Sequence, residues 1–259
     1  MGKPKALVLR AAGTNCDRET QYALEQAGFE AKRVHVFRLM ENPSALREYQ
    51  FLVIPGGFSY GDDVAAGKIL ANQMLHHLAD EMNAFLAAGK LVLGICNGFQ
   101  VMIKSGLLPW GKVSAGEANR DATLAWNDSG RFEDRWVHLR CDSGKCVFLP
   151  KGEIVALPVA HGEGKFIPRD TAVLDRLREG DQVAVRYVDA AGRPGGYPIN
   201  PNGSTDDIAG ICDQSGRAMG LMPHPERFIE ITHHPLWTRG GITRADGRIF
   251  FERAFAFLK

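Results

Sequence analysis

Over the first hundred residues, short apolar runs alternate with amphipathic stretches, the pattern of a parallel sheet covered by helices. KALVLR at 5–10 predicts a buried strand. The next segment, 17–27, predicts a helix capped near Asp17 and ended by Gly28. Strands are predicted at 31–37 and at 51–54 (FLVI), followed by one or two helices over 62–86 that Gly89 closes. KLVLGI at 90–95 predicts another strand, and 98–104 another helix.

From about 110 to 190 the pattern changes. Strand-like pieces (RWVHLR, CVFLP, EIVALPVA, QVAVRYV) are separated by Gly and Pro turns and predict antiparallel strands added to the same domain. AMGLM at 218–222 predicts a return to the central sheet, and about 248–258 a closing helix; the His-, Pro- and Trp-rich stretch 233–241 takes no assignment. With no flexible linker and no internal repeat, the expectation is one α/β domain over 1–259 with a mainly parallel central sheet.

A chain of 259 residues that is 45% hydrophobic can build a sizeable core. The formal net charge of +1 removes the electrostatic case for nucleic acid or an anionic membrane as main partner. The apolar run at the N-terminus is too short for a signal peptide core, and no stretch approaches the roughly 18 apolar residues of a membrane span. The 5 cysteines are odd in number and irregularly spaced, so no disulfide framework is expected and a reducing, cytoplasmic setting fits.

Gly94-Ile95-Cys96-Asn97-Gly98 sits where a predicted strand passes into a predicted helix. This is the cysteine version of the nucleophile elbow. A tight turn strains its central residue, and a side chain two positions away on either side would crowd it. The sulfur would lie at a helix N-terminus, where free N–H groups and the helix dipole favour an anionic nucleophile. A buried structural cysteine between two packing glycines explains the pentapeptide equally well.

Met222-Pro223-His224-Pro225-Glu226 follows a predicted strand late in the chain. In a parallel sheet this loop and the Cys96 turn emerge at the same carboxyl edge. Two prolines would stiffen the loop, and Glu226 could hold one ring nitrogen while the other exchanges protons with Cys96. Attack on an amide also needs donors for an oxyanion. The Gly57 N–H in Pro55-Gly56-Gly57-Phe58 and the Asn97 N–H form the candidate pair, with Gln100 a further substrate-binding candidate.

GTNCDRET, PGGFSYGDD, GICNGFQ, RFEDRWVHL, AHGEGKF, NPNGSTDDIAGICD and MPHPERF run through most of the chain. Together they resemble the class I (triad) glutamine amidotransferases, and among them the glutaminase subunits of phosphoribosylformylglycinamidine synthase. The resemblance implies a flavodoxin-like three-layer sandwich and a Cys96-His224-Glu226 triad, with oxyanion donors at Gly57 and Asn97. It implies a glutaminase half-reaction whose ammonia passes to a synthetase subunit, which uses ATP to convert formylglycinamide ribonucleotide (FGAR) to the amidine (FGAM). This subunit would need no cofactor or metal; ATP and Mg would belong to the synthetase. Whether a small accessory subunit joins is left open. The stretch HHPLWTRGG at 233–241 departs from the shortest members of that family.

Two other readings compete. One is another thiol hydrolase on the same scaffold, such as a γ-glutamyl hydrolase or a deglycase-like protein. In the deglycase type a histidine follows the nucleophile directly, and here that position is Asn97. The other is a non-catalytic module, against which an intact Cys96, His224 and Glu226 weigh. Cys16 is a rival nucleophile but lacks flanking glycines, so a loop or interface role is expected. His138, Cys141, Cys146 and His161 lack zinc-site spacing; the glycines of AHGEGKF suggest backbone close to a site or an interface, and His161 is placed near the glutamine pocket.

Overall fold

The structure, a computed structural model, describes residues 2–114 and 120–259. Strands β1 (Lys5–Arg10), β2 (Glu30–His35), β3 (Phe51–Ile54), β4 (Leu91–Ile95) and β11 (Ala218–Leu221) are joined by parallel pairings in the order β2-β1-β3-β4-β11. With β11 in the fifth place, this is the 2-1-3-4-5 order of the flavodoxin-like fold. Every residue of β3, β4 and β11 is buried. Since successive side chains point to opposite faces, both faces must be covered. Helices α1 (Asp17–Ala27) and α7 (Arg248–Phe257) pack on each other as one group, α3 (Lys68–Gln73) and α5 (Asn97–Lys104) as another.

Antiparallel strands extend the sheet beyond β11 through β10 (Ile208–Cys212), β9 (Val183–Val188), β6 (Glu133–Cys141) and β7 (Ile154–His161). A separate antiparallel ribbon pairs β5 (Ala122–Ala125) with β8 (Lys165–Pro168). β7 stands five places from β4 in the strand order, yet it returns to β4 and β11 at their carboxyl ends. The Ala160 carbonyl lies 3.7 Å from the Cys96 sulfur, and the Pro158 carbonyl accepts from the His224 N–H at 2.9 Å. The antiparallel half therefore curls back over the carboxyl edge of the parallel half.

Several boundaries differ from the sequence expectation. The strand at 31–37 ends at His35, whose ring Nδ1 accepts the Phe37 N–H at 3.3 Å and caps helix α2 (Val36–Glu41). The helical region expected from 62 begins only at Lys68. Tyr60, Asp62 and Val64 take positive φ values of 56°, 54° and 71°, which a right-handed helix cannot contain. It then runs through a π-helical turn, Met74–Leu78, into α4 (Ala79–Ala87).

CVFLP at 146–150 forms no strand. Its Val147 N–H bonds to the Gly216 carbonyl, and Phe148 packs in the core 5.8 Å from the Phe51 ring, so a buried turn spends the apolar run. Helix α6 (Thr171–Glu179) has no counterpart in the sequence expectation, although Asp170 caps it by accepting from the Val173 N–H at 2.8 Å and Val173, Leu174 and Leu177 form its buried face. β10 likewise has none. Residues 115–119, within the stretch expected to carry added strands, lie outside the described residues.

Candidate functional site

Cys96 ends β4 and precedes α5. Its φ of 51° and ψ of −106° put a non-glycine residue in strained backbone. The Cys96 N–H bonds to the Leu221 carbonyl at 2.8 Å, fixing the turn to β11. The flanking glycines are required sterically. A Cβ on Gly94 would stand 2.8 Å from the Gly98 carbonyl oxygen, and one on Gly98 would stand 1.8 Å from that of Ile54.

Gly98→Ala gives the first prediction. In an ordinary helix Gly→Ala stabilises by roughly 1 kcal/mol. Here the added methyl meets the backbone of β3, and overpacking of this kind costs about 1–3 kcal/mol. A fall of about 2–12 °C in Tm is expected for a domain of this size, read by thermal melting. A rise in Tm would show that the turn tolerates a side chain.

β11 lies beside β4 with Leu221 in register with Ile95, so the loop after β11 emerges next to the elbow. There His224 Nδ1 and Glu226 Oε1 are 2.7 Å apart, in residues 2% and 1% exposed. Burial alone would lower the His224 pKa. The charges of Glu226 and Cys96 outweigh it, with smaller contributions from the two neighbouring thiols, and hold the imidazole well above its ordinary 6.5. Its Nε2 has no hydrogen-bond partner among the described residues. A Cβ on Gly56 would meet the His224 ring at 2.8 Å, so this glycine of the PGG turn makes room for the imidazole.

The proposed oxyanion donors are likewise available. Neither the Gly57 nor the Asn97 N–H bonds to another described residue. The Asn97 side chain ties the loops together: its oxygen accepts from the Ser59 N–H, and its amide nitrogen donates to Asp62 and Gln100, both at 2.9 Å. Gln100 Nε2 donates to the Glu163 carbonyl at 2.6 Å. Cys96, Gly57, Gln100 and His161 line one pocket of about 320 Å³, together with Phe58, Asp62, Trp126, Phe132 and Glu163. A larger open groove of about 590 Å³, lined by residues of 229–232 and 243–252, holds none of these groups.

Cys16, read from the sequence as a loop or interface residue, is buried at the start of α1 against His224. Its thiol donates to Asn15 Oδ1 at 3.2 Å and accepts from Arg227 Nη2 at 3.2 Å. Burial pushes the thiol up to about 11, so it stays protonated at neutral pH. Cys16, His224 and Glu226 form a cluster of potential metal ligands, although His224 and Glu226 already bond to each other. The expected roles of Asp62, Glu163 and Arg227 were not legible. Their only signal was membership in PGGFSYGDD, AHGEGKF and MPHPERF.

A cysteine on a strained strand-to-helix turn, beside a buried His–Glu pair at the carboxyl edge of a 2-1-3-4-5 sheet, is the arrangement of the class I glutamine amidotransferases. Residues 3–258 match the CobB/CobQ-like glutamine amidotransferase domain. The phosphoribosylformylglycinamidine synthase subunit PurQ of Dehalococcoides mccartyi is 46% identical over 98% of this chain and 97% of its own. That of Methanococcus maripaludis is 42% identical over 96% and 92%. A chain of the PurLQS structure from Thermotoga maritima is 34% identical, with a TM-score of 0.75 over 100% of both chains. The chain belongs to this family, in its PurQ-like branch.

Proposed function

We propose that this chain is the glutaminase subunit of phosphoribosylformylglycinamidine synthase, hydrolysing glutamine to glutamate and delivering ammonia to an ATP-dependent synthetase that converts FGAR to FGAM. The observation that carries the chemistry is Cys96 on its strained turn beside the buried His224–Glu226 pair. The pathway rests on the full-length similarity to PurQ subunits.

The Cys96 thiolate attacks the side-chain carboxamide carbon of glutamine. The resulting oxyanion takes hydrogen bonds from the Gly57 and Asn97 N–H groups. The His224 imidazolium gives its proton to the departing nitrogen, the C–N bond breaks, and a γ-glutamyl thioester remains on Cys96. Water then attacks the thioester while His224 takes its proton, releasing glutamate and restoring the thiolate. Glu226 holds the imidazole in orientation through Nδ1. Gln100 closes the pocket by bonding to the loop that carries Glu163.

None of these steps calls for a resident metal or cofactor, and ATP and Mg belong to the synthetase. Ammonia must stay unprotonated to act as a nucleophile, so a sheltered route to the partner's site is needed. The aromatic side chains Phe58, Trp126 and Phe132 line the pocket and stay exposed in the isolated chain, apolar surface suited to a partner.

A glutamine-analogue electrophile tests the assignment. One equivalent is expected to attach to Cys96, with glutamine protecting, when the synthetase and FGAR are present. Peptide mapping that places the label elsewhere, or finds none, would remove Cys96 as the nucleophile.

A further inference from the structure

The titratable side chains lining the pocket at Cys96 offer hydrogen-bond acceptors and no cation. Among the described residues its titratable lining consists, besides Cys96, of two carboxylates, Asp62 and Glu163, and the His161 imidazole, with no lysine or arginine. Asp62 Oδ1 accepts from the Gly67 N–H at 3.2 Å and from Asn97 Nδ2 at 2.9 Å, which leaves Oδ2 without a partner among the described residues. The Glu163 side chain has no hydrogen bond or ion pair there either. The two carboxylates are near enough that burial and then the Glu163 charge both act to raise the Asp62 pKa. Lys104, whose charge both carboxylates feel, lies outside the lining and donates to the Ala66 carbonyl.

His161 makes the same point independently. Asn127 Nδ2 donates to the Arg131 and His161 carbonyls at 2.9 and 2.8 Å, which fixes the direction of the Asn127 amide. Its oxygen accepts from the Gly164 N–H and stands 3.1 Å from His161 Nδ1, so Nδ1 carries the hydrogen. Nε2 is then a bare lone pair, in a side chain only 3% exposed, with no partner among the described residues. Burial holds the imidazole down to about 3, so Nε2 stays an acceptor at neutral pH. A buried acceptor with nothing to accept calls for a ligand that donates.

We infer that Asp62 and Glu163, with His161 Nε2 in the same wall, recognise the α-ammonium group of glutamine. This deepens the proposed function and rests on it. Glutamine brings a cation with three N–H donors into a pocket whose described lining has these acceptors and no lysine or arginine. Two neighbouring carboxylates repel each other until such a charge lies between them. An amide lacking the ammonium group leaves that repulsion uncompensated, so the same groups reject it.

The test compares L-glutamine with glutaramate, the same molecule without the amino group, on the assembled complex and on its Asp62→Asn and Glu163→Gln variants. Asparagine keeps an Oδ1 to accept from Gly67 and Asn97, so the substitution removes charge and spares the loop. Each variant is expected to raise KM for glutamine about 10- to 100-fold, with a smaller fall in kcat. The preference for glutamine over glutaramate in kcat/KM is expected to fall by a similar factor. Should Asp62→Asn misfold, Glu163→Gln decides, since that side chain gives up no hydrogen bond. An unchanged preference in a folded variant overturns the inference, as does a loss confined to kcat. A wild-type complex that releases no glutamate from glutamine would instead refute the proposed function, and the inference with it.

Discussion

Cys96→Ala is expected to lower glutamine-dependent FGAM formation by about 10⁴-fold or more, while ammonium salts still support synthesis by the assembled complex. Loss of a nucleophile removes the covalent route entirely, and what remains comes from binding and the oxyanion donors alone. A drop of that size corresponds to at least about 5 kcal/mol of transition-state stabilisation. Alanine is smaller than cysteine and keeps the backbone bond to the Leu221 carbonyl that anchors the turn. The two nitrogen sources separate the outcomes. If both activities fall together, the substitution has damaged the assembly and the assignment of Cys96 as nucleophile loses its support. If glutamine still works, Cys96 is not the nucleophile at all.

Glu226→Gln has the second largest expected effect, roughly 10²- to 10⁴-fold in kcat. Glutamine preserves the shape of the side chain but removes the charge that opposes the desolvation of His224. The His224 pKa is then expected to fall, carrying the basic limb of the pH–rate profile, where the proton-donating imidazolium is lost, to lower pH. The same change has a stability signature. In the wild type the folded imidazole binds its proton more tightly than the unfolded one, whose pKa is near 6.5. That stabilisation is fully present below pH 6.5 and is lost as pH rises through the higher folded value. Glu226→Gln is therefore expected to destabilise more at pH 5.5 than at pH 9, read from denaturant midpoints. An equal loss at both pH values would mean that Glu226 acts by packing alone.

The parallel half of the fold was legible because its strands are buried on both faces and written as uninterrupted apolar runs; β1, β3 and α1 have the predicted bounds. The antiparallel half was less so. β10 was hidden in a segment rich in Asn, Gly and Asp, and CVFLP has a strand's composition with a turn's hydrogen bonding. The start of the helical region after Asp62 depended on positive φ values, and no residue type other than glycine announces these. Within the site, Cys96 with its two glycines and His224 with Glu226 are local patterns, since each acts through neighbours one or two positions away in the chain. Asp62, Glu163 and Cys16 are not, because each gains its surroundings from elements far away in sequence.

By itself the sequence determined the alternation of strands and helices, the elbow at Cys96 and the pairing of His224 with Glu226. All are set by short-range sterics, hydrogen bonding and apolar period. Only the tertiary structure decided that β7 returns to the parallel half's carboxyl edge, that Cys16 is buried against the His224 imidazole, and that Asp62, Glu163 and His161 share one pocket. Those contacts depend on how an antiparallel extension curves through space, and sheet curvature is the sum of many pairings that no local pattern records.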